Sequence, residues 1–183
     1  MKPLRLIFLD IDGVVNSMEY EMYCEDIREG KVEGVTEVPK NEKVEMIREL
    51  CENFEVRIVI SSSWRLWTLD STLKDFEKYE DLKTLIPYIV GITPRQCHKE
   101  QGKVRGDEID WFLKYRNYPP IEPYNSYYNF EYFMKRKHSE LNYCILDDDS
   151  DMLENQMSNF INTYDNYGLT TEDINKIKQI LKI

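Results

Sequence analysis

Residues 4–9 read LRLIFL and run straight into DIDG, and this join between an apolar run and two acids constrains the chain more than any other stretch. Large apolar and β-branched residues in near-continuous sequence have the composition of a strand buried on both faces, as in the middle of a parallel sheet. Asp10 and Asp12 follow, two residues apart, so on an extended chain their side chains project to the same side. Gly13 permits a sharp turn behind them. Open α/β sheets place ligands at the carboxyl ends of their strands. The expectation is a pair of acids held at that edge. A strand closing on an ordinary acidic turn gives the same local pattern, so the remaining strand ends decide between the two.

The next apolar run, Val56 to Ile60, closes on Ser61-Ser62-Ser63-Trp64-Arg65. A hydroxyl and a backbone N–H at a strand end can receive an anionic oxygen, and Ser61 with the N–H of Ser62 stands there. Arg65 is placed to reach a substrate phosphate. Ser63 is expected to cap a helix running to about Tyr79. Ahead of this strand, Val44, Ile47, Leu50, Cys51 and Phe54 recur at helical spacing. Asn41 is the expected cap of that helix, with Glu42 and Glu45 in its first turn. A helix end over 82–87 and a third strand over 88–93 are expected next. Arg95, Lys99, Lys103 and Arg105 then precede an amphipathic helix carrying Ile109, Phe112 and Leu113. Basic residues sit better at helix C-termini, so this cluster is either functional or a solvated basic loop.

The strand expected over 142–146 ends on Asp147, Asp148 and Asp149, with Asp151 beyond. So many acids at one strand end repel one another unless a cation binds. A short helix over 152–157, a last strand over 159–163, a turn at Gly168 and a helix capped by Thr170 complete the reading. Alternating strands and helices predict a parallel sheet covered on both faces.

Two stretches fit no element. Residues 17–38 show no clean period and read as a long connection, either a small lid or a surface loop packing Tyr20 and Tyr23. Residues 116–141 hold Pro119, Pro120 and Pro123, then Tyr124, Tyr127, Tyr128, Phe130, Tyr132 and Phe133, then Lys135, Arg136, Lys137 and His138. That stretch reads as a stacking platform with a basic rim, as an insertion packing its rings on the sheet edge, or as a dimer contact.

Composition narrows the function. A chain of 183 residues suits one domain with a real core. No apolar run is long enough for a membrane span, and the N-terminal stretch reads as a strand, not a signal peptide. Four scattered cysteines without metal or redox spacing read as reduced thiols in a cytoplasmic protein, and two histidines cannot furnish a histidine-rich metal centre. A net charge of −10 opposes non-specific binding to a phosphate backbone, while leaving room for a local basic site.

Taken in order, LIFLDIDG, the strand ending on Ser61, the cations before the 109–113 helix and ILDDDSDM resemble motifs I to IV of the haloacid dehalogenase (HAD) superfamily. RGDEIDWFL, ILDDDSDM and GLTTEDINKI further resemble the HAD domain of "Swiss army knife" RNA repair proteins. The stretch from EQG to EI is similar to the phosphatase half of phage polynucleotide kinase-phosphatases. The Tyr-rich insertion departs from the pattern. The resemblance implies an α/β, HAD-like Rossmannoid three-layer sandwich with a mostly parallel sheet. It implies one domain over 1–183, with a flap at 17–38 and the insertion at 116–141. It assigns Asp10 as nucleophile and Asp12 as general acid, then base. Ser61 and Arg105 stabilise the transferring group, with Lys103 the second choice for the cation. Mg²⁺ is held by Asp10, the backbone carbonyl of Asp12 and Asp147, with Asp148 or Asp151 acting directly or through water. The implied partner is a phosphorylated small molecule or a nucleic-acid end, away from any membrane. A non-catalytic binding module is the other class, and the presence of every motif residue argues against it.

Overall fold

In a computed structural model, which describes residues 2–35, 37–95, 104–118 and 127–183, the run at 4–9 becomes strand β1 (Leu4–Leu9), the centre of a five-stranded sheet. In chain order the elements are β1, α1 (Met18–Arg28), α2 (Glu42–Phe54), β2 (Val56–Ile60), α3 (Leu69–Phe76), β3 (Ile89–Ile92), α4 (Arg105–Tyr115), α5 (Phe130–Met134), β4 (Leu141–Asp147), β5 (Phe160–Asn162) and α6 (Thr171–Leu181). The strands lie in the order β3-β2-β1-β4-β5, all parallel. Arg5–Leu9 align with Val56–Ile60 on one side, and Leu4–Leu9 with Leu141–Leu146 on the other. The chain moves outward from β1 through β2 to β3, then crosses back to set β4 on the other flank of β1. The loops leaving β1 and β4 therefore diverge, and a crevice opens between their carboxyl ends.

Alternation along β1 sends successive side chains to opposite faces. Arg5 points to one face, where it donates to the carbonyls of Phe54 and Leu181, each at 3.2 Å, and so ties the ends of α2 and α6 together. Phe8 points to the other, meeting Phe112 of α4 edge-on at 5.6 Å, and Phe133 of α5 packs on Phe112 at 5.7 Å. The result is the three-layer α/β sandwich with a parallel central sheet that the alternating pattern predicts. Asn41 caps α2 as expected, accepting from the N–H groups of Lys43 and Val44 at 3.0 and 3.4 Å. No helix among the described residues is long and apolar enough to cross a membrane.

Three expectations need correction. The stretch at 17–38 is not all connection: Ser17 caps α1. The helix escaped the periodicity test because it buries only Cys24 and Ile27, leaving Met22 and Tyr23 exposed. Ser63 caps nothing; α3 begins six residues later, where Thr68 and Ser71 cap each other reciprocally, at 3.0 Å from the Ser71 N–H and 3.1 Å from the Thr68 N–H. The helix expected over 152–157 is a 3₁₀ turn over Glu154–Asn159.

The described part of the Tyr-rich stretch packs on the sheet edge. Tyr127 accepts from the Ile92 N–H at 2.7 Å, and Asn129 donates to the Val90 carbonyl at 2.9 Å, so the segment runs beside β3. Arg136 stands 4.1 Å from the centre of the Tyr132 ring. Cys24, Cys51 and Cys144 are buried free thiols; Cys97 lies outside the described residues.

Candidate active site

Asp10 and Asp147 meet because β1 and β4 are neighbours in register. The Asp10 N–H donates to the Leu146 carbonyl at 3.0 Å, extending the β1–β4 pairing one residue past the strand. The Asp10 carboxylate accepts from the Ile11 N–H at 2.8 Å, and Asp147 accepts from the Asp149 N–H at 3.1 Å. One oxygen each of Asp10, Asp147 and Asp148 lie within 4.8 Å of one another. Gly13 makes room for the third: its φ of +68° suits glycine, and a Cβ there would sit 2.3 Å from the Asp148 carboxyl carbon.

Arg105 opens α4 and reaches the cluster. Its Nη1 lies 3.2 Å from Asp147 and 3.6 Å from Asp10. Asp151 serves a different purpose from Asp148. Its carboxylate accepts from the Arg105 N–H at 3.0 Å and its carbonyl from the Gly106 N–H at 3.3 Å, so it caps α4 outside the carboxylate cluster.

The charge balance is uneven. Burial, and then the neighbouring Asp10 charge, push the Asp147 carboxyl well above the usual carboxylate range despite Arg105. Burial likewise raises Asp148. Burial works to lower the Arg105 guanidinium, yet Asp147 and Asp10 outweigh it, and the net shift is upward. Among the described residues one cation, Arg105, thus faces Asp10 and Asp147 with Asp148 beside them, and a further positive charge is what would let all three acids ionise. Three carboxylates are the hard oxygen donors that Mg²⁺ prefers. The buried Oδ2 of Asp147, within ion-pair distance of Arg105, makes no hydrogen bond to the described residues, so it can accept such an ion. The residues fit the metal.

Ser61 follows β2 directly, its N–H bound to the Leu9 carbonyl at 2.9 Å, and its side chain is buried without a hydrogen-bond partner among the described residues. A buried, unsatisfied hydroxyl is uncommon and is what a phosphoryl oxygen would engage. Ser62 is buried too, with its hydroxyl accepting from the Trp64 N–H at 3.2 Å. Asp12 is exposed; Asn16 donates to it at 3.1 Å and the Trp64 indole N–H at 2.8 Å.

Arg65 does not fit the role expected of it. It is 1% exposed, and its guanidinium is committed to Glu108 and to the carbonyls of Ser62 and Thr93, the last at 2.9 Å. Desolvation pushes it down to about 10. It braces the Ser61 loop against the end of β3 and α4. Lys103 lies outside the described residues.

Sequence reasoning missed Glu108, Asn16 and Trp64. Glu108 had a signal: three residues after Arg105 on one helix, it lies on the same face. Trp64 had none, since only the loop's closure brings its N–H to Asp12.

The chain matches the family model described as the HAD domain in Swiss Army Knife RNA repair proteins, over residues 6–174. Neither the curated proteins nor the solved structures hold a significant match.

Proposed function

The chain belongs to the family of HAD domains found in Swiss Army Knife RNA repair proteins, a hydrolase family of the phosphatase kind, and from that premise we propose an Mg²⁺-dependent phosphomonoester hydrolase that works through a phosphorylated Asp10. One observation carries the reading: Asp10, Asp147 and Asp148 converge within 4.8 Å, with Arg105 between Asp10 and Asp147. No solvated acidic turn needs a buried cation among buried acids.

In the first step a carboxylate oxygen of Asp10 attacks phosphorus, the bond from phosphorus to the ester oxygen breaks, and Asp12 gives its proton to that oxygen. In the second, Asp12 takes a proton from water, whose oxygen attacks the acyl phosphate. Inorganic phosphate leaves and Asp10 returns as a carboxylate. Ser61 and Arg105 donate to the transferring oxygens throughout. Asp10, the Asp12 carbonyl, Asp147 and Asp148 would hold Mg²⁺, which supplies positive charge to offset repulsion between the phosphoryl group and the acids. The Ser62 N–H stands beside Ser61 as a further donor, and Lys103 is a second candidate for the phosphate.

The family's RNA repair setting supports a phosphorylated polynucleotide end as substrate. The net charge of −10 favours a second reading, a nucleotide or other small ester. Buried free thiols at Cys24, Cys51 and Cys144 suit a reducing cytoplasm. Phosphate release with Mg²⁺, on an aryl phosphate, mononucleotides, and 3′- and 5′-phosphorylated oligonucleotides, separates the readings. Turnover concentrated on oligonucleotide ends, abolished by EDTA and restored by Mg²⁺, is the expected result. Turnover confined to small esters would transfer the assignment to the second reading, and activity indifferent to EDTA would refute the metal site.

A further inference from the structure

A cavity of about 900 Å³ lies beneath α1, walled by residues 38–44 on one side and 78–82 on the other. It reaches Asn16 and Trp64, the two side chains that hydrogen-bond Asp12. It therefore opens beside the carboxyl that hands a proton to the departing oxygen. With the phosphoryl group held at Asp10, whatever that oxygen belongs to must lie on this side.

The chemistry of the wall says what fits. Ile11, Val15, Val38 and Val44 give an apolar floor. Trp64 and Tyr79, edge-to-face at 5.0 Å, form an aromatic corner, with Trp64 half-buried and Tyr79 42% exposed. Around these stand five carboxylates, Glu21, Glu25, Glu29, Glu80 and Asp81, against three cations. An excess of acids repels a run of phosphodiesters, whereas carboxylates accept hydrogen bonds from ring amines and sugar hydroxyls. The space is of the size usual for small-molecule sites. Its roof is also fixed in place. The Tyr20 hydroxyl lies 3.1 Å from both the Pro39 carbonyl and Asp81, and the Met18 and Glu19 N–H groups donate to the Asp165 and Asn166 carbonyls.

Building on the phosphomonoesterase reading, we propose that this cavity is the leaving-group pocket, that it takes one neutral ring-bearing alcohol of the nucleoside kind, and that Trp64 joins the pocket to the acid. The indole that walls the pocket also holds Asp12 through its N–H, so a ring seated against Trp64 lies beside its own proton donor. On this account mononucleotides and the terminal nucleotide of a strand share one pocket, and any continuing phosphodiester stays outside the acidic rim. Trp64 acts on the reaction through Asp12 as a positioning residue, while Tyr79 is a binding residue.

The test has two arms. In the first, free adenosine and free uridine are titrated by calorimetry into the Asp10→Asn protein without metal, which reads the pocket apart from any turnover. Saturable binding, weakened at least about tenfold by adding Tyr79→Ala, is expected; aromatic stacking on a base is worth ~1–3 kcal/mol. Absence of nucleoside binding, or binding indifferent to Tyr79→Ala, overturns the proposal even if the enzyme proves to be a phosphatase. Binding without any phosphatase activity would instead sustain the pocket and refute the catalytic reading. In the second arm, Tyr79→Ala should lower kcat/KM for a mononucleotide at least about tenfold more than for glycerol phosphate. Trp64→Phe, which keeps a ring and removes the N–H, should lower kcat while leaving KM for the mononucleotide within about threefold. Equal losses on both esters, or a Trp64→Phe effect confined to KM, would contradict the assignment.

Discussion

Among single residues, Ser61 separates function from stability most cleanly. Its hydroxyl is buried and bonded to nothing among the described residues, so the fold gains little from it. Ser61→Ala should leave the urea midpoint almost unmoved and reduce kcat by about 10²-fold, the scale of losing one donor to a developing oxyanion. A drop in stability with activity intact would reverse the reading and make Ser61 a packing residue. Aspartates that look alike in sequence diverge for equally local reasons. Asp148 reaches the cluster because Gly13 has no Cβ, whereas Asp151 meets the N–H groups at the start of α4. The sequence reading left those two open, and it could not have chosen, because the choice lies in the path of the chain after β4.

At the scale of elements, what was legible was whatever buries a periodic or continuous apolar set. The strands at 4–9 and 56–60 and helices α2 and α6 carry such sets and stand where they were expected. Helix α1 was missed because its stability comes from a cap and backbone contacts at its start, with only two buried side chains. Arg65 was misread for a related reason. An arginine after a strand end looks like a phosphate ligand until α4 is seen to present Glu108, 0% exposed, to it. That buried pair locks three elements together: the loop after β2, the end of β3 and α4. Removing one partner strands a buried charge, at a cost of about 3–5 kcal/mol, while replacing both by apolar residues is often near neutral. Arg65→Met should therefore lower unfolding free energy by that amount, and Arg65→Met with Glu108→Leu should recover most of it. A single variant as stable as the wild type would show that the pair is not a brace.

Over the whole molecule, the sheet order brings two acidic strand ends to one crevice, and the stability of the protein becomes linked to protons there and, on the proposed function, to metal. Folding raises the proton affinity of Asp147 above its value in the unfolded chain, first through burial and then through Asp10. Without metal, the stability tied to the protonated form is present below the unfolded carboxylate value of ~3.9 and is lost as pH rises towards the folded value. If the proposed metal site is right, Mg²⁺ would bind its deprotonated form and release protons, and its stabilising effect should grow as pH rises through the same interval. Thermal unfolding across pH, with Mg²⁺ and with EDTA, should give two curves that converge at low pH and separate above it; parallel curves would argue that the carboxylate cluster is not where the metal binds. The central claim is the covalent intermediate on Asp10. The most direct measurement is mass spectrometry of the enzyme quenched in acid during turnover with Mg²⁺, comparing wild type with Asp10→Asn. A phosphoryl adduct mapped to the peptide bearing Asp10, absent from the variant along with phosphate release, is the predicted result; turnover by Asp10→Asn at the wild-type rate, or an adduct on another residue, would contradict it.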